Sequence, residues 1–90
     1  MAPDDDRPFI LKWSRTWPKA PTAKNDFTGR HPDHPRMFAR FFHSGRLEAR
    51  KAEWFWTVSD RAQIASGYEE NARAAARAAE TTRERWLAAR

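Results

Sequence analysis

The fold is decided by residues 53–90, which read EWFWTVSDRAQIASGYEENARAAARAAETTRERWLAAR. A dense aromatic run at 54–58 is followed by a tight turn and a second short run at 63–67, and both have the composition of strands. Asn71 then precedes a segment rich in alanine, the residue with the highest helix propensity. This order of strand, turn, strand and helix predicts large aromatic side chains on a sheet that face small alanines on a helix.

The predicted helix begins after Asn71, whose side-chain oxygen can accept a hydrogen bond from an N–H group of the first turn. Helical spacing assigns one stripe to the sheet-facing side: Ala72, Ala75, Ala76, Ala79, Thr82 and Trp86. The other positions are expected to point elsewhere: Arg73, Arg77, Glu80, Glu84 and Arg85. Small residues on the stripe would let the helix lie close to the sheet, with Trp86 at its far end.

Two upstream segments also have strand patterns. Residues 9–17 alternate between apolar and polar side chains, which predicts a half-buried strand. Residues 36–43 predict another strand, with Phe38, Arg40 and Phe42 on one side and Met37, Ala39 and Phe41 on the other. Between them, prolines punctuate residues 18–35, so this long segment is functional, or mobile, or contains a short strand at 26–28.

These elements predict an α+β fold, namely a small antiparallel meander of three to four strands with one C-terminal helix packed on one face. We expect a single domain at residues 8–90, with a long Pro-rich loop at 18–35, behind a flexible N-terminal tail at residues 1–7. A chain of 90 residues buries a modest share of its surface. Its five tryptophans and six phenylalanines compensate, because each ring buries a large apolar area.

Composition excludes several classes of function. The absence of cysteine excludes disulfides, thiolate zinc sites and thiol nucleophiles. The acidic N-terminus lacks the apolar stretch of a signal peptide, and no apolar run reaches the length of a membrane helix, so we expect a cytoplasmic protein without a membrane partner. The net charge of +5 is compatible with nucleic acid, an anionic membrane or an acidic protein, but a solvated basic surface explains it as well without any partner.

No sequence motif indicates catalysis. The segment His31-Pro32-Asp33-His34 supplies metal-binding side chains, but its prolines hold it extended, so the two imidazoles need not converge. A Gly-rich phosphate loop and a nucleophile elbow are both missing from the sequence. We therefore expect neither a metal site nor a cofactor, and we expect that the protein is not an enzyme.

The alternation of aromatic and basic residues in the 36–43 strand is the best functional signal. One helix covers one face of a sheet, so Phe38, Arg40 and Phe42 are core, or are covered by the long loop, or remain exposed for a partner. The first interpretation of an exposed face is a non-enzymatic interaction module that binds a protein partner or itself. The alternative is a nucleic-acid-binding protein, because single strands stack on such rings. Further candidate binding residues are Arg36, Arg73 and Arg77.

A set of short segments resembles a pattern found in small bacterial proteins of unknown function. The matching segments are Ala39-Arg40-Phe41-Phe42, Trp54-Phe55-Trp56, Ser66-Gly67-Tyr68 and residues 71–79. Those proteins have a strand ending in Gly-Arg and apolar residues, a Trp-x-Trp strand, Ser-Gly-Tyr and a helix rich in alanine and arginine. Here Ala39 stands where glycine is usual, and Asn71 where threonine is frequent. The resemblance implies a meander-plus-helix fold and no activity.

Overall fold

The structure, a computed structural model, describes residues 8–20, 24–44 and 53–90. Its elements are β1 Lys12–Arg15, β2 Asp26–Arg30, β3 Met37–His43, β4 Trp54–Asp60, β5 Ala62–Glu69 and α1 Ala72–Ala88. The strands form one antiparallel sheet in chain order, in which each strand pairs with the next. Helix α1 packs across β3, β4 and β5. The α+β class and the C-terminal helix on one face are therefore as predicted.

In the part of the chain that the structure describes, the sheet has five strands, one more than the upper end of the predicted three to four. The Pro-rich segment at 18–35 contains β2, which is longer than the short strand considered at 26–28. Phe27 lies opposite Phe41 in the β2–β3 register, and their rings stack with centroids 5.2 Å apart. This aromatic contact stabilises the pairing of β2 with β3. Because it joins residues on different strands, a pattern within residues 18–35 does not reveal it. The expected tail at residues 1–7 lies outside the described residues.

The core lies between the sheet and α1. Ala39 and Val58 are directly paired on β3 and β4, and both are 0% exposed, as are Ala75 and Ala79 on the helix. The other buried apolar members are Leu11, Met37, Phe41, Trp56 and Ala76. Because small side chains meet at the centre of this contact, the helix lies close to the sheet, as the alanine stripe predicts.

The start of the helix is also as predicted. Asn71 has extended backbone dihedrals, and its Oδ1 accepts a hydrogen bond of 2.8 Å from the Ala74 N–H group. The Asn71 carbonyl oxygen accepts the first intrahelical bond, from the Ala75 N–H group. The cap therefore satisfies one of the orphan donors of the first turn.

The outward-facing assignment of Arg77 and Glu80 is wrong. These residues are only 7% and 4% exposed, and Arg83 on the same helix is also 4% exposed. The reason is that the segment preceding β1 runs along this side of α1. The Glu80 carboxylate accepts hydrogen bonds from the Ile10 and Leu11 N–H groups, and the Arg77 guanidinium lies 4.1 Å from the centroid of the Phe9 ring. The buried side of the helix is thus wider than its alanine stripe.

Candidate interaction surface on the open sheet face

The sheet face opposite α1, here called the open face, is not covered by the helix. Alternation along the strands and the cross-strand register define its members. They are Lys12, Ser14, Thr16, Asp26, Thr28, Arg30, Phe38, Arg40, Phe42, Phe55, Thr57, Ser59, Gln63, Ser66 and Tyr68. The face is aromatic on β3 to β5, and basic and hydroxylated on β1 and β2.

Three rings on adjacent strands form an aromatic row across the open face: Phe42, Phe55 and Tyr68. They are directly opposite one another in the register of β3, β4 and β5. The Phe42 and Phe55 centroids lie 5.5 Å apart, and those of Phe55 and Tyr68 lie 4.9 Å apart. Tyr68 is 43% exposed, and the two phenylalanines are half-buried. The row is therefore a continuous apolar strip on the solvent side of the sheet.

Arg40 is held beside this row by Asp26 on the neighbouring strand. Its Nε and Nη2 atoms donate to the two carboxylate oxygens at 2.9 and 2.6 Å. The guanidinium also lies 4.8 Å from the centroid of the Phe42 ring. A bidentate pair of this kind fixes the orientation of the arginine and neutralises its charge.

The ion pair shifts the pKa values of both partners. Burial raises the pKa of Asp26, but hydrogen bonds from Arg40, Thr16 and Trp17, together with the Arg40 charge, outweigh burial and hold it below its ordinary value of 3.8. The hydrogen bond with Asp26 raises the pKa of Arg40, although burial opposes this shift. Asp26 is consequently ionised at neutral pH, and the pair is intact there.

The predicted binding residues do not all converge. Phe38, Arg40 and Phe42 share the open face, as predicted from the alternation of β3. Arg36 precedes β3 and lines a groove at its start, beside the turn between β4 and β5. Arg73 and Arg77 lie on α1, on the opposite side of the sheet, with their guanidinium groups 5.5 and 4.1 Å from the Phe9 ring centroid.

The sequence interpretation missed two parts of the open face. Phe55 and Tyr68 complete the aromatic row, but only the strand register shows that they lie beside Phe42. The second missed part is a basic groove of about 520 Å³ on β1 and β2. Its lining residues are Lys12, Ser14, Arg15, Thr16, Thr28, Arg30, His31, Pro32 and Pro35. The alternation of Lys12, Ser14 and Thr16 was the available signal for the β1 side of this groove.

The histidines near the groove are engaged with neighbouring groups. The Asp33 N–H group donates to His31 Nδ1 at 3.1 Å, and His34 Nδ1 lies 3.2 Å from Arg83 Nη2. Within residues 8–20, 24–44 and 53–90, no group of three or more potential metal ligands comes together. In the same residues, no helix has both the length and the apolar character needed to cross a membrane.

No family model, curated protein or solved structure matches this chain. The resemblance to small bacterial proteins therefore stays a prediction. Function has to be inferred from the open face itself.

Proposed function

We propose that this protein is a non-enzymatic interaction module and that its open face binds a protein partner or a second copy. The observation that carries this proposal is the aromatic row, a strip of three adjacent rings that the only helix of the described chain leaves uncovered. Aromatic residues and arginine are enriched in the cores of protein interfaces. The row joined to Arg40 has this composition.

The state of Arg40 favours a protein over nucleic acid as the ligand of the aromatic row. Its charge is already neutralised by Asp26, so Arg40 has little attraction left for a phosphate. The ring of Phe42 has the Arg40 guanidinium over it, and the ring of Phe38 has that of Arg30 at 5.2 Å. A stacking platform for bases needs open ring faces. A protein surface can instead pack against rings and guanidinium groups together.

The open face also supports a binding role over a catalytic one. Among its described members, Asp26 is the one carboxylate, and it is committed to Arg40. General acid–base chemistry needs a carboxylate or imidazole that is available to a substrate. The cytoplasmic location expected from the sequence stays a prediction.

The basic groove supports a second candidate function, the binding of single-stranded nucleic acid. Lys12 and Arg30 lie directly opposite each other in the β1–β2 register, and His31 follows Arg30 along the chain. The groove contains no carboxylate among its lining residues, whereas three of them are lysine or arginine. A phosphate backbone is attracted to such a lining, and Tyr68 of the aromatic row would have to supply the stacking surface.

Site-specific photo-crosslinking in cells tests the proposal. Benzoylphenylalanine replaces Tyr68 on the open face or, as a matched control, Ile10, which is 50% exposed beside α1 and away from the open face. After irradiation, adducts are separated with and without nuclease treatment and identified by mass. We expect nuclease-resistant protein adducts at position 68 that exceed those at position 10.

The mass of the adduct separates the alternatives. A discrete foreign protein or a species of twice the chain mass supports the proposed function. A nuclease-sensitive adduct at position 68 supports the second candidate and overturns the first. Equal adduct yields at positions 68 and 10 contradict both, because the open face would then have no preferred ligand.

A further inference from the structure

The two edges of the sheet differ in how they are protected. β1 is four residues long and carries Lys12 and Arg15, which suits an edge that must not pair with other strands. β5 is eight residues long and has no charged residue from Ala62 to Tyr68. No described strand pairs with its outer side. Alternate backbone N–H and C=O groups of β5 therefore point outward, with no charged side chain from Ala62 to Tyr68 to repel a second strand.

The charges at the two ends of β5 are complementary. Arg61 precedes the strand and Glu70 follows it, and both are exposed. An antiparallel pair of β5 strands places the start of each strand beside the end of the other. Arg61 of each copy then meets Glu70 of its partner, whereas a parallel pair would bring like charges together. The segment from 61 to 70 is thus self-complementary only in the antiparallel arrangement.

The β-bulge in β5 fits a symmetric pairing. Opposite β4, Ala65 pairs with Val58 and Gln63 pairs with Ser59, so Ile64 is an extra residue. A two-fold axis at Ser66 places Ala65 opposite Gly67, and the same extra residue then brings Gln63 opposite Tyr68. Residues that are directly opposite in such a pairing lie on the same face of the sheet. Two residues further along each strand, the same register places Arg61 of one copy opposite Glu70 of the other.

We propose that two copies of this chain pair through the outer edges of β5, antiparallel and around a two-fold axis at Ser66, to form one ten-stranded sheet. Such a dimer pairs the two long, uncharged β5 edges with each other and leaves only the short, charged β1 edges. It also joins the two open faces, with Tyr68 of each copy beside Gln63 of the other. The inference rests on the proposed function to the extent that it names a second copy as a partner.

Sedimentation equilibrium over a range of protein concentrations tests the pairing. We expect the unmodified chain to dimerise. We expect Arg61→Glu to raise the dimer dissociation constant about tenfold at low salt, because two attractive cross-strand contacts become repulsive. The charge-swapped double variant Arg61→Glu/Glu70→Arg restores both contacts and is expected to return the constant to within about threefold of the original.

A second pair of variants addresses the axis. Ser66→Lys places two like charges at the two-fold axis and is expected to raise the dimer dissociation constant about fivefold at low salt, whereas Ser14→Lys on the β1 edge leaves the constant unchanged. Mixing Ser66→Lys with Ser66→Glu is expected to restore a heterodimer.

A monomer at every concentration up to about 1 mM overturns the dimer. A foreign-protein adduct at position 68 would still leave the proposed function standing in that case. A dimer dissociation constant that Ser66→Lys leaves unchanged, or that the charge swap fails to restore, overturns the β5 pairing.

Discussion

At the scale of single residues, Glu80 connects the N-terminal segment to the helix. Glu80 is 4% exposed, and its carboxylate accepts hydrogen bonds from Ile10 N, Leu11 N and Trp13 Nε1 at 3.0, 2.9 and 3.0 Å. A buried charge is tolerated when hydrogen bonds replace its water. These contacts join residues about 70 positions apart, so Glu80 holds the start of the sheet against the end of the chain.

Glu80→Ala is expected to destabilise the protein by about 2–4 kcal/mol, because it leaves three partly or fully buried donors without their acceptor. Urea denaturation measures the loss of stability. Hydrogen exchange shows where the structure opens, since the Ile10 and Leu11 amides should exchange faster in Glu80→Ala. Glu70→Ala is the matched control, because Glu70 is exposed, and it is expected to cost less than about 1 kcal/mol. Equal losses for both variants would contradict this role of Glu80.

At the scale of elements, helix α1 uses two adjacent faces. Its alanines contact the sheet, while Arg77 and Glu80 contact the segment that precedes β1. The carbon stem of an arginine can pack as an apolar group while its guanidinium lies over a ring. Arg77 therefore behaves as part of the packing between α1 and Phe9.

Arg77→Ala is expected to cost about 1–2 kcal/mol, from the loss of stem packing and of the contact with the Phe9 ring. Arg73→Ala is the matched control, since Arg73 lies over the same ring at 5.5 Å but is exposed. Arg73→Ala is expected to lower the free energy of unfolding by about 0.5 kcal/mol or less, as is usual for surface positions. Thermal melts of the two variants measure the difference. If Arg73→Ala lowers the stability more than Arg77→Ala does, then the buried face of α1 is misassigned.

Local sequence patterns predicted the helix and strands themselves better than they predicted which parts of the chain these elements contact. The cap at Asn71, the alanine stripe and the alternation of β3 follow from spacing within one segment, and the structure has all three. The buried faces of Arg77 and Glu80 depend on a segment about 70 residues away in the chain, so helical spacing alone assigned them to solvent. Long-range packing of this kind overrides a pattern read within one element.

Two cross-strand tryptophan–glycine pairs show the same limit. A Cβ atom on Gly29 would lie 2.8 Å from the Trp13 ring, and one on Gly67 would lie 2.8 Å from the Trp56 ring. Each glycine leaves room for an indole from the opposite strand. The sequence shows these residues, but the pairing that explains them exists only once the strand register is known.

At the scale of the whole molecule, the one helix of the described residues forms a second layer on the sheet and leaves the open face uncovered. The helix side contains the apolar core, and the open face contains the aromatic row, the Asp26–Arg40 pair and the basic groove. The alternation of β3 predicted that Phe38, Arg40 and Phe42 share one side. It did not predict the carboxylate of Asp26, which determines what Arg40 can bind.

The Asp26–Arg40 pair makes the stability of the whole domain depend on pH. Since the pKa of Asp26 is lower in the folded protein than its ordinary value of 3.8, the folded state favours the ionised carboxylate. The pair contributes its full stabilisation above that value. The contribution is lost as the pH falls through the lowered pKa of the folded state.

Asp26→Asn is therefore expected to cost about 1–2 kcal/mol at neutral pH, a modest figure because Arg40 is 36% exposed and solvent screens the pair. The difference in the free energy of unfolding between Asp26→Asn and the unmodified protein should become smaller as the pH falls from about 5 to about 2. Over this range the Asp26 carboxylate of the unmodified protein becomes protonated and loses its charge. Urea midpoints at a series of pH values measure the two curves. Asp33→Asn is the control, since that side chain is 77% exposed, and its neutral-pH cost should stay within about 0.5 kcal/mol. A cost of Asp26→Asn that is the same at low and neutral pH would mean that the ion pair does not stabilise the fold through its charge.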